Sequence, residues 1–187
     1  MNIYSIRSHL KSYGIYQKRK TTISHAFASA LSIPDEFEIN LVSNAISLLG
    51  QNPNNDLLCA YCGNEAKTWD HINAIVLNGE FSGNGHQINN LIPCCKTCNS
   101  QKGNKNWEIF LRENKQLTPI DLENRIQRIK NYIGDNNVNL LEIINEYCSQ
   151  LLQDFQIKKE EVLNLLQEAD EIAAQIRNVV SINVSRT

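Results

Sequence analysis

Cys59-Ala60-Tyr61-Cys62-Gly63 and Cys95-Lys96-Thr97-Cys98-Asn99 frame the stretch that decides the fold, with Trp69-Asp70-His71-Ile72 and Asn90-Leu91-Ile92-Pro93-Cys94 between them. Zn²⁺ takes four soft ligands at about 2.3 Å, and each Cys-x-x-Cys turn offers two sulfurs on one side, so the two knuckles read as one tetrahedral site. Cys59, Cys62, Cys95 and Cys98 are therefore the expected structural zinc ligands. Such a site has no open coordination position, and any chemistry must come from what lies between the knuckles.

The ordered combination of knuckle, Asp70-His71, Asn90-Leu91 and Cys95-x-x-Cys98-Asn99, running on to Ser100-Gln101-Lys102-Gly103, resembles an HNH nuclease of the ββα-metal (His-Me finger) superfamily in its four-cysteine form. The likeness covers about a quarter of the chain. It implies an α+β fold, with a small ββα-metal core flanked by N-terminal and C-terminal helices and mainly helical overall. It implies a Mg²⁺-dependent (or Mn²⁺-dependent) endonuclease acting on double-stranded DNA, in restriction or phage defence. His71 then corresponds to the general base, since its reference pKa of about 6.5 leaves it largely neutral near pH 7. Asp70 and Asn99 match the positions that hold the catalytic magnesium, and Asn90 the residue that braces the histidine loop. The chain departs from the family at Ala74, where relatives often have proline, and at Asn99, where some have histidine. His86 has no firm counterpart: it could touch the scissile phosphate, or be an ordinary surface histidine. The competing expectation is a non-catalytic, zinc-stapled DNA-binding or adaptor module, which needs only the cysteines.

Working outward, 42% hydrophobic and 20% charged residues with four prolines and eight glycines describe a globular chain. The net charge of −2 is unusual for a nucleic-acid binder, but its distribution is polarised. Residues 1–34 carry five bases and no acid, whereas residues 117–187 carry seven bases against eleven acids. Lys18, Arg19 and Lys20 are the expected phosphate contacts there, in a turn before a helix capped by Thr21 or Thr22, with Lys102 and Lys105 after the second knuckle. Cys94 and Cys148 are left over as small packing residues. Thiolates reserved for metal, with no apolar leader or membrane-length run, point to a cytoplasmic protein.

Three regions follow: a basic helical part over 1–50, the nuclease core over 51–116 and a helical part over 117–187. Ile3, Ile6 and Leu10 predict a short helix ended by Gly14, and Pro34-Asp35 a third helix through Leu49. Trp69–Leu77 and Asn89–Cys94 read as strands separated by turns at Asn78-Gly79 and Ser82–Gly85, and a helix runs from about Asn99 past Gly103 to Leu111. Thr118-Pro119-Ile120-Asp121 starts a helix that Gly134 ends. Leu140–Phe155 and Lys158–Val180 predict two amphipathic helices, forming an antiparallel hairpin or a homodimer surface.

Overall fold

The computed structural model describes residues 2–134 and 139–184. The chain gathers into two compact units, one of residues 28–148 and one in which the segment up to Phe27 joins the segment from Ser149 onward. The regions 1–50 and 117–187 are thus each divided between the units.

The larger unit is built on an antiparallel pair, β1 (Thr68–His71) and β4 (Leu91–Cys94), in the register Thr68↔Cys94, Asp70↔Ile92 and His71↔Leu91. Between them lies a second hairpin, β2 (Val76–Leu77) and β3 (Glu80–Phe81). Asn78 and Gly79 form its turn with φ of 55° and 84°, the left-handed backbone that an Asn-Gly loop tolerates. The helix expected from Asn99 to Leu111 is two: α3 (Lys96–Lys102) and α4 (Trp107–Arg112). Gly103 (φ 48°, ψ −123°) ends the first, and the Asn106 side chain caps the second by accepting from the Glu108 and Ile109 amides.

The strand, strand and helix order is covered on one side by α2 (Ile39–Leu48) and α5 (Pro119–Ile133). Ile46, Tyr61, Ile72, Ile92, Leu111, Ile126 and Ile129 make one buried core, in which the Tyr61 and Phe110 rings meet edge to face at 5.3 Å. Helix α5 follows its sequence signals closely, from the Thr118 cap and Pro119 to Gly134. Its Tyr132 hydroxyl donates to the Ile88 and Leu91 carbonyls and so ties α5 to the start of β4. Helix α2 starts later than Pro34-Asp35 predicts, because Asp35 is used elsewhere: its N–H donates to His86 O at 3.2 Å and its carboxylate accepts from the Ile88 N–H at 2.8 Å.

In the smaller unit, α1 (Ile15–Ala30) contributes its first turns, and the C-terminal helices are one, α6 (Leu140–Val184), with non-helical angles at Cys148. The predicted hairpin is corrected, since Phe155 to Lys158 contains no glycine or proline and Lys158 pairs with Glu161 one turn on. The antiparallel partner of α6 is α1: Phe27 stacks on Phe155 at 5.1 Å, and Asp170 accepts from the Ile15 and Tyr16 amides at 2.7 and 2.9 Å. That distant carboxylate, instead of Thr21 or Thr22, caps α1. Residues 3–8 form only an exposed 3₁₀ turn, with Ile3, Ile6 and Leu10 in solvent.

Candidate active site and metal centre

The knuckles are shaped by backbone before any metal is considered. Gly63, at φ 82°, returns its N–H to Cys59 O at 2.8 Å, and Cys59 N–H donates to Asn64 O at 2.6 Å. Cys95 caps α3, its sulfur accepting from the Cys98 amide at 3.4 Å. These turns bring the sulfurs of Cys59, Cys62, Cys95 and Cys98 within 4.8 Å of one another, with Cys62 and Cys95 at 3.7 Å. Four sulfurs about 3.8 Å apart are what a tetrahedral ion with 2.3 Å bonds requires, so the donor set fits zinc.

Cys94 does more than pack. Its buried thiol donates to Cys95 O at 3.3 Å, and its sulfur lies 3.9 Å from Cys59 Sγ. Hydrogen bonding from Cys94 pulls the Cys59 thiol down to about 4, while burial and neighbouring sulfurs push Cys98 up. The first ligand is the one held ready as thiolate.

The zinc loops flank β1, where alternation sends Asp70 inward and His71 outward with Trp69. His71 Nε2 lies 3.0 Å from His86 Nδ1, and the rings are 5.0 Å apart. Burial, followed by the facing His86 and the positive Lys102, lowers the His71 pKa to about 4, leaving a neutral imidazole at pH 7. Asn90, itself buried, accepts from the Asn73 N–H at 2.8 Å and donates to Asn73 O and Gly85 O, both at 3.0 Å. One carboxamide thus joins the segment after His71 to the segment before His86. The carbonyl of Ala74, where a proline is missing, accepts from the Ser82 hydroxyl at 2.5 Å, which restrains the same loop.

Asp70 is 6% exposed, and its Oδ2 receives both the Tyr61 hydroxyl (2.8 Å) and the Lys102 ammonium (3.1 Å). Burial raises the Asp70 pKa against the opposing pull of Lys102 and Tyr61. Lys102 also donates to His71 O at 2.6 Å and has no exposed side-chain surface. Its expected role as a phosphate contact is corrected on that ground: a buried, paired ammonium does not meet a solvent-borne phosphate. Asn99 Nδ2 donates to Thr68 Oγ1 (3.1 Å) and Trp69 O (3.2 Å). As arranged, Asp70 and Asn99 do not fit a shared magnesium ion, because the carboxylate is already spent on a cation inside the core.

The structure therefore brings together Asp70, His71, His86, Asn90, Asn99 and Lys102. Lys105 pairs with Glu113 at 3.1 Å on the surface. Lys18, Arg19 and Lys20 lie exposed within α1, in the smaller unit, and not in a turn before it; the open helix amides expected beside them are those that Asp170 caps. Sequence reasoning missed Tyr61, and also Ser32 and Asp35, which hold the backbone of His86 on both sides. Only the central position of Tyr61 in its knuckle could have pointed to one of them.

Residues 59–105 match the family model described as HNH endonuclease. No curated protein and no solved structure matches the chain.

Proposed function

We propose that the protein hydrolyses phosphodiester bonds of double-stranded DNA with His71 as general base, a reading supported by the match of residues 59–105 to the HNH endonuclease family model and by four cysteines placed to hold a metal ion. One observation carries this reading: a neutral imidazole is presented on the outer face of β1, and its Nε2 is within hydrogen-bond distance of a second imidazole. His71 takes a proton from a water as the water's oxygen attacks phosphorus, and the bond to the 3′ oxygen breaks, that oxygen taking a proton from solvent to leave as a hydroxyl. The bond to His86 gives that proton a second place to reside. Lys102 and Asn90 hold the backbone of β1 and the adjoining loop, so the imidazoles meet without a search through loop conformations.

The resemblance implies a divalent Mg²⁺ or Mn²⁺ that would relieve charge on the phosphate, but Asp70 and Asn99 as arranged do not fit it. No step here passes through it, since Asp70 is committed to Lys102. The same burial supports a second reading, a zinc-stapled DNA-binding or adaptor module. Supercoiled plasmid incubated with wild-type protein in Mg²⁺, Mn²⁺ or chelator separates the two. Cleavage that His71→Ala abolishes while retaining DNA binding supports the enzyme; equal behaviour of both proteins overturns it.

Partners follow from the same reading. One HNH core cuts one strand, so a double-strand cut calls for two copies. Val162, Leu165, Ala169, Ile172, Ile176 and Val179 recur at alternating spacings of three and four on α6, a coiled-coil seam for a homodimer. Leu165, Ile172, Ile176 and Val179 are between 58% and 62% exposed in the single chain. A reducing, cytoplasmic setting keeps the thiolates available for zinc, and restriction or phage defence is the setting proposed. Among the described residues no helix is long and apolar enough to cross a membrane.

A further inference from the structure

A cavity of about 280 Å³ opens beside the two histidines. His86 forms part of its wall, so anything seated there is one side chain away from the imidazole proposed as general base. Trp69 shares the outer face of β1 with His71, two residues along, and Phe37 faces the same space. These rings are 47% and 79% exposed, so both present a face to a ligand. Phe37 sits on a fixed segment: Ser32 Oγ accepts from the His86 N–H at 3.0 Å, and Asp35 bonds to both His86 and Ile88. The backbone leading to Phe37 is therefore anchored to the loop of His86.

The acidic groups lining the cavity are the carboxylates of Asp35 and Glu36; its other polar side chains are the His86 imidazole and the Tyr132 phenol, whose hydroxyl already donates to the Ile88 and Leu91 carbonyls. Two acids repel a phosphate, which excludes the sugar-phosphate backbone as occupant. They accept hydrogen bonds from the exocyclic amine of cytosine or adenine. The volume lies below the roughly 300–1,000 Å³ of pockets for drug-sized ligands, and suits one flat heterocycle better than a base pair.

We propose that this cavity receives a single unpaired nucleobase of the DNA substrate, an amine-bearing one, stacked on Trp69 and Phe37 beside the scissile phosphate. The proposal rests on the endonuclease reading for its choice of ligand, but its test does not depend on cleavage. Unstacking a base costs energy, and an aromatic wall next to the site of attack recovers it.

The test measures binding, by fluorescence anisotropy, of the His71→Ala protein to three labelled duplexes: fully paired, with one unpaired cytosine, and with an abasic residue at that position. The unpaired cytosine is expected to bind best. Phe37→Ala and Trp69→Ala, each made in the same background, should weaken that complex by roughly tenfold, the scale of losing one base–aromatic stack. They should change the abasic complex less than twofold. Trp69→Phe should restore most of the loss. Equal affinity for the cytosine and abasic duplexes overturns the proposal, as does discrimination unchanged by Phe37→Ala, whose exposed ring can be removed without disturbing the core. Absence of DNA binding also overturns it. If the base is discriminated and wild-type protein still cuts nothing, the cavity stands and the endonuclease reading falls.

Discussion

His71 is held neutral by its surroundings. Burial and the adjacent positive groups depress its pKa to about 4, so the neutral form persists well below the ordinary histidine range. The group favours the folded state above about pH 6.5, and that contribution is lost as pH falls toward 4. The acid limb of a cleavage-rate profile should accordingly lie below 6.5; a limb at or above that value contradicts the described environment. Lys102 makes a second prediction. Replacing it with methionine leaves the Asp70 carboxylate buried without its cation and should cost about 3–5 kcal/mol in urea unfolding, with much of it recovered by adding Asp70→Asn. A loss of DNA affinity at unchanged stability is the opposite result, expected of a surface lysine. At this scale the sequence makes the adjacency of Asp70 and His71 plain. It does not disclose that His86, from a separate loop, meets His71, because that meeting depends on Asn90, Ser32 and Asp35 bonding to backbone far along the chain.

Among the elements, those governed by local chemistry were the legible ones. Thr118, Pro119 and Gly134 mark α5 because cap, first-turn proline and terminal glycine act within a few residues. The knuckles are legible for the same reason, as is the Asn78-Gly79 turn. Elements finished by a distant partner are not legible locally: α1 starts at Ile15 because Asp170 accepts its first amides, and α2 is delayed because Asp35 bonds to the His86 loop. The ββα core should depend on its metal. Cys59→Ser removes the sulfur most readily kept as thiolate, and with it a zinc contribution on the order of 10 kcal/mol. Loss of both stoichiometric zinc, by atomic absorption, and the folded circular-dichroism signal is expected; a folded zinc-free variant contradicts it.

For the molecule as a whole, the exposed apolar seam of α6 predicts association. Light scattering should give twice the chain mass for wild type, and the chain mass for an Ile172→Asp, Ile176→Asp protein that keeps its zinc and its helical signal. A wild-type monomer across the micromolar range contradicts the seam. The pairing of β1 with β4 also divides the larger unit into places that accept a change of length and places that do not. Cys94 lies opposite Thr68 one step before the second knuckle, so a residue inserted within β1 ahead of Asp70 turns the histidine into the core and the aspartate out. Residues added at Asn78-Gly79 leave both the sulfurs and the strand alignment alone, which makes that tip the place to splice in an epitope or a dye-labelled peptide and follow the protein without touching either.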